Sequence, residues 1–126
     1  MCPKVMVVDD EKDTIELVKL VLESEGINVI GVTSGIECLE KLDIEKPDAI
    51  LLDIMMPMMD GWETFRKIKK KDPKIPVSML TVKNQHFDRM LGLHLLKADD
   101  YITKPFGKNE LTERTKELIK SRRPEV

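Results

Sequence analysis

The strongest constraint on the fold of this chain is an alternation of two periods. Short apolar runs rich in Val, Ile and Leu are separated by longer segments whose apolar residues recur at helical spacing. Runs that are apolar at every position, with no polar alternation, belong to strands buried on both faces, so the pattern is that of repeated βα units around a parallel sheet. Five strands are predicted: Lys4 to Val8, Asn28 to Val32, Ala49 to Asp53, Val77 to Thr81 and Asp100 to Thr103. Helical spacing is set by Ile15, Val18, Val21 and Leu22 in one segment, and by Leu111, Thr115, Leu118 and Ile119 in another.

Start and stop signals divide the chain in the same way. Asp13 with Glu16, Ser34 with Glu37 and Asp60 with Glu63 each fit a capping box, in which side chains satisfy the free amides of a helix start. Gly26 stands where the first helix should stop, because glycine enters the left-handed region at little cost. Pro73 and Pro76 punctuate the turn after the third helix. Arg122 and Arg123 sit where cations favour a helix C-terminus.

A chain of 126 residues has room for one domain, expected as residues 1–126 with an ordered core of about 3–121 and a tail or linker stub at 122–126. With 21 basic and 23 acidic residues the net charge is -2, so no global field draws it to nucleic acid or an anionic membrane. The first apolar run ends at Asp9 and Asp10, too early for a signal-peptide core or a spanning helix, and the expected compartment is the cytoplasm. Cys2 and Cys38 have no paired spacing and read as buried or idle thiols. The basic stretch from Arg66 to Lys74 holds Ile68 at helical phase and reads as a solvated helix face.

The chemistry lies where the apolar runs end. Val5 to Val8 lead to Asp9 and Asp10, Ala49 to Leu52 to Asp53, Val77 to Leu80 to Thr81, and Tyr101 to Thr103 to Lys104. In an open parallel sheet the carboxyl ends of all strands share one edge, so these groups meet in one crevice. Gathering three carboxylates there costs several kcal/mol of repulsion at an effective dielectric of ~20, and a hard cation removes it. Magnesium, which takes oxygen ligands and keeps several waters, suits such a set, and manganese could substitute for it. Asp53, held at the end of a rigid strand, is placed to act as a nucleophile toward phosphorus. Lys104 would offer a point charge, and Thr81 a hydroxyl, to the phosphoryl oxygens. Any one of these residues alone has an ordinary structural explanation; their combination at successive strand ends does not.

Taken together, Asp9-Asp10-Glu11, Asp53 with Met56-Pro57 and Met59-Asp60-Gly61, Leu80-Thr81, and Asp99 to Phe106 closely resemble the receiver domain of two-component response regulators, over essentially the whole chain. The resemblance implies a flavodoxin-like, doubly wound sheet of order 2-1-3-4-5 with five helices. It implies that Asp53 accepts a phosphoryl group from a sensor histidine kinase or phosphotransfer protein. It implies magnesium held by Asp10, Asp53 and the Met55 backbone carbonyl, and by Asp9 through water, and a cis bond before Pro105. Phosphorylation would draw Thr81 and Lys104 inward, and the aromatic Tyr101 would turn into the space vacated. The surface of the fourth helix, fifth strand and fifth helix would report the change to a partner or a second copy.

The chain departs from the family pattern in two places. Val82 follows Thr81 where receivers usually carry a small residue, and would narrow access to the phosphoryl group. Lys97 stands where the family usually has Gly. Met55, Met56, Met58 and Met59 read as core filling and loop wall rather than a copper site, and His86 and His94 as solvated or packed. A phosphorylation-independent interaction module on the same fold is the alternative; it would be favoured by loss of Asp10, Asp53, Thr81 or Lys104, all of which are present. A phosphatase of the aspartate-nucleophile kind would want a second Asp where Met55 stands, and a flavin site would be repelled by Asp9 and Asp10.

Overall fold

In the computed structural model, which describes residues 2–56, 60–82 and 100–122, five strands form one parallel sheet of order β2-β1-β3-β4-β5. The strands are β1 (Lys4–Val8), β2 (Asn28–Val32), β3 (Ala49–Asp53), β4 (Val77–Val82) and β5 (Asp100–Lys104). The helices among the described residues are α1 (Lys12–Glu23), α2 (Gly35–Glu45), α3 (Gly61–Lys71) and α4 (Lys108–Lys120). The helix α4 is the fifth of the sequence expectation; the expected fourth helix, Lys97, His86 and His94 lie outside the described residues.

Side chains alternate across each strand, and the two faces build two cores. Met6, Val8, Ile50, Leu52 and Met79 pack with Cys38 and Leu42 of α2 and Phe65 and Ile68 of α3. Val5, Val7, Leu51, Leu80 and Ile102 pack with Ile15, Val18 and Leu22 of α1 and Leu111 and Leu118 of α4. The sheet is therefore covered on both sides, as its uninterrupted apolar runs require, and every residue of β3 is buried. No helix among the described residues is long and apolar enough to cross a membrane.

The boundaries follow local chemistry. Ser34 caps α2 by accepting from the Glu37 amide at 3.1 Å, and the Glu37 carboxylate reaches back to the Thr33 amide at 2.8 Å. Asp60 caps α3 through the Glu63 amide at 2.8 Å. The expected box of Asp13 and Glu16 does not form. The helix α1 starts at Lys12 with Glu11 as its N-cap, and Asp13 falls in its first turn, where a negative charge suits the helix dipole. At the other end of α1, Gly26 takes φ +80°, letting its own amide reach Glu23 O and the Ile27 amide reach Leu22 O. Both β4 and β5 run one residue past their expected ends, because the ladder continues through Val82 opposite Lys104.

Candidate functional site at the carboxyl edge of the sheet

The order of the sheet reverses direction at β1, which has β2 on one side and β3 on the other. A crevice opens at the carboxyl ends of the strands flanking such a switch point. Asp9 and Asp10 follow β1 and Asp53 ends β3, so both strands deliver their carboxylates to that crevice. One carboxylate oxygen from each of the three lies within 4.8 Å of the others. Asp9 is fully buried, Asp53 is 6% exposed and Asp10 is exposed.

Each buried carboxylate is held by backbone. Asp9 Oδ1 accepts from the Glu11 amide at 2.9 Å, which folds the β1–α1 turn over its side chain. Asp53 Oδ1 accepts from the Met55 amide at 3.1 Å. Lys104, brought in from the end of β5, donates to Asp9 Oδ2 at 2.7 Å and lies 3.9 Å from Asp53 Oδ2. Its ammonium thus partly offsets two carboxylates at once, and the shorter contact is to the one with no exposure. The Lys104–Pro105 bond is cis, as the resemblance implied.

Burial pushes the Asp53 carboxyl from its ordinary 3.8 up to about 7, and the Asp9 carboxylate, with a smaller part from Asp10, pushes the same way. Lys104 and the Met55 amide oppose the rise without cancelling it. Burial likewise pushes the Cys38 thiol up to about 12, which keeps it protonated and unreactive inside the core.

The donor set fits a hard divalent cation. Its side-chain atoms are all carboxylate oxygens, they converge from two strands, and their negative charge exceeds what one ammonium offsets. Soft metals would want thiolate or imidazole, and neither is in the cluster.

Asp9, Asp10, Asp53 and Lys104 converge, and Thr81 lies in β4 opposite Thr103 of the neighbouring strand. The side chains of Thr81 and Val82, and residues 57–59, lie outside what the structure describes. Tyr101 is 39% exposed on β5, pointing away from the core, and its carbonyl accepts from Arg114 at 3.0 Å. Met55 is 58% exposed and Met56 is buried, which matches a loop wall and core filling.

One contributor entered the sequence reading only as part of the Met59-Asp60-Gly61 motif, with no role of its own. Gly61, the first residue of α3, donates to Ile54 O at 2.9 Å, and a Cβ on it would run into the Asp53 carbonyl and Ile54 Cα. The helix therefore starts directly against the peptide group of Asp53, an approach that only glycine allows. The Asp60-Gly61 pair before a capped helix was the available signal, but it reads equally well as a plain turn.

A parallel sheet of this order with clustered carboxylates and an ammonium at the switch point defines a receiver-type signalling module. The chain belongs to the response regulator receiver domain family, whose model matches residues 5–116. It is thus a module of phosphorylation-activated two-component signalling. It is 43% identical over 126 residues to the alkaline phosphatase synthesis transcriptional regulatory protein PhoP of Bacillus subtilis (strain 168), a match covering all of this chain and 51% of that protein. The chain therefore spans about half the length of that curated relative. Among solved structures, it superimposes with TM-score 0.80 and 39% identity on a CheY-like response regulator receiver domain protein from Methanospirillum hungatei JF-1, over 94% of each chain. The receiver domain of NtrX from Brucella abortus matches with TM-score 0.84 and 27% identity, over 92% of this chain and 98% of that one.

Proposed function

We propose that Asp53 is the phosphoacceptor of this receiver and that magnesium is its cofactor. The observation that carries the reading is the convergence of three carboxylates within 4.8 Å beneath an ammonium that reaches two of them. Asp10, Asp53 and the Met55 carbonyl would hold the ion directly, with Asp9 acting through water; manganese would serve in its place. When bound, the ion supplies positive charge that offsets the carboxylates and the oxygens of the incoming phosphoryl group.

The chain's own residues do the rest. A deprotonated Asp53 oxygen attacks phosphorus, the phosphorus–nitrogen bond of a donor phosphohistidine breaks, and its electron pair stays on the imidazole. Lys104, already within the crevice, exchanges part of its hold on Asp9 for a phosphoryl oxygen, and Thr81 donates its hydroxyl to another. Tyr101 follows Thr81 inward, and Val82 limits access of water and small donors to the acyl phosphate. The donor is a sensor histidine kinase or phosphotransfer protein. Attack of water on the same acyl phosphate returns the inactive state. On the same reading, residues 1–126 are one cytoplasmic receiver, with its ordered core at about 3–121 and residues 122–126 a tail or linker stub. The altered face formed by the segment after β4, β5 and α4 engages a downstream target or a second copy.

Intact mass after incubation with acetyl phosphate tests the central assignment. One phosphoryl adduct is expected with magnesium, none in chelator, and none in Asp53→Asn. An adduct that persists in the variant or without a divalent ion overturns it.

A further inference from the structure

The face of the sheet covered by α2 and α3 is electrically divided. The helix α2 carries four carboxylates and one lysine, and α3 carries five cations and one carboxylate. The two helices lie side by side, joined near their C-terminal ends by Lys71 and Asp43 at 2.9 Å. Other charges on this face are also engaged. Glu37 is held by Lys41 and the Thr33 amide, and Lys69 donates to Ile75 O at 2.6 Å. Glu40 on α2, and Arg66 and Lys70 on α3, are exposed, and among the described residues their side chains have no hydrogen-bond or ion-pair partner.

These three charges stand on the outermost lines of the two helices. Ile36, Glu40 and Ile44 recur every four residues opposite the buried Cys38 and Leu42, while Arg66 and Lys70 lie opposite the buried Thr64 and Ile68. Ile36 is 49% and Ile44 76% exposed, so the unpaired carboxylate of α2 is flanked by apolar surface that water covers at a cost. A face that is acidic and apolar on one helix and basic on the next is complementary to itself turned over. A two-fold axis running between α2 and α3, along their length, lays each α2 on the α3 of the other copy. Both helices have 11 residues and start at the carboxyl edge of the sheet, so Glu40 comes level with Arg66 of the second copy. Ile44 comes level with Lys70 of the second copy, whose methylene stem can cover it.

We propose that this face pairs two copies of the chain in an isologous, salt-sensitive dimer, α2 against α3 in both directions. A nucleic acid or an anionic membrane would engage α3 alone and be repelled by the carboxylates of α2, whereas a second copy uses both helices. Two helices about 16 Å long and about 10 Å apart offer roughly a few hundred Å2 per copy, below the ~800 Å2 of a standard interface, so the contact is a weak one. It uses neither the phosphoacceptor crevice nor the face of β5 and α4.

Sedimentation equilibrium and amide NMR on the whole chain, without a phosphoryl donor, test this between about 20 μM and about 2 mM, a span that brackets so weak an association. A dimer is expected at the upper end in low salt, with shifts that grow together at Ile36, Glu40, Ile44, Arg66 and Lys70. Sodium chloride at about 0.5 M should weaken it about tenfold or more. Ile44→Ser should weaken it several-fold. Glu40→Lys, and the double variant Arg66→Glu with Lys70→Glu, should each be monomeric alone, because like charges then meet in both contacts. Mixed in equal amounts, these two proteins should associate about as tightly as wild type, since the mixed dimer has opposite charges in both contacts; that rescue also shows that each variant keeps its fold. A wild type monomeric throughout, association indifferent to salt or to Ile44→Ser, shifts confined to β5 and α4, or a mixture no tighter than its components overturns the proposal. So does a monomer whose α3 shifts respond instead to a DNA duplex or to anionic vesicles.

Discussion

A carboxyl group that titrates near 7 keeps its proton over a range in which the unfolded chain, releasing it near 3.8, has already lost it; Asp53 is such a group in the metal-free protein. The folded state binds more protons between those two values, so this residue's contribution to stability falls as pH rises through the window and levels off above about 7. The whole displacement corresponds to at most about 4 kcal/mol, reduced by whatever screening reaches the crevice. Replacing the carboxylate by an amide keeps an oxygen for the Met55 amide and removes the buried charge. Asp53→Asn in chelator should therefore melt above wild type at pH 8, with the difference closing as pH falls toward 4. Thermal unfolding across that range checks this, and a difference independent of pH would show that the Asp53 charge is not a liability. Lys104 moderates the same balance from across the sheet, since among the described residues its ammonium lies 2.7 Å from Asp9 Oδ2 and 3.9 Å from Asp53 Oδ2.

At the scale of elements, α3 is anchored on the residue it serves. Its first residue, Gly61, abuts the Asp53 carbonyl and bonds Ile54 O, while Asp60 caps its free amides. A methyl group at Gly61 has to push α3 off the end of β3, an overpacking that typically costs about 1–3 kcal/mol. Gly61→Ala should lower the unfolding free energy measured in urea by that amount and slow acetyl-phosphate labelling of Asp53 as the carboxylate moves. Lys67→Ala, on the exposed side of the same helix, should stay within about 0.5 kcal/mol of wild type and label normally. Equal effects of the two would mean that the helix end does not position Asp53. The strands were legible in the sequence to within one residue, most sharply at the wholly buried β3, where the apolar run stops abruptly at Asp53. The start of α1 was not, since Asp13 and Glu16 carry the pattern of a cap but the Asp9 side chain and Glu11 had already fixed the turn before it. Asp9 and Asp53 were legible in the same way, each being the first polar group after an apolar run, and the two carboxylates meet in the crevice. The pairing of Lys104 with Asp9 was not, because it depends on how far a side chain reaches past the two intervening strands, β4 and β3, which spacing along the chain does not encode.

For the molecule as a whole, the carboxyl edge of the sheet holds more negative charge than Lys104 offsets, and folding forces that charge together. The unfolded chain has no such cluster, so a cation that enters it binds the folded state preferentially and raises its stability. At a concentration 100 times its dissociation constant the gain is about 2.7 kcal/mol. For a chain of this length that corresponds to roughly 3–5 °C in melting temperature per kcal/mol. The same carboxylates bind protons, and Asp53 does so with a pKa of about 7, so protons compete for the site below neutrality. Magnesium should therefore raise the melting temperature clearly at pH 8 and much less at pH 5.5. Sodium chloride at matched ionic strength should do little at either pH, because screening acts weakly on buried groups. Asp53→Asn should lose most of the magnesium effect while keeping its own higher baseline in chelator. A magnesium shift that is equal at both pH values, or reproduced by sodium chloride, would place the ion on the outer surface and leave the crevice as an acidic cluster without a cation of its own.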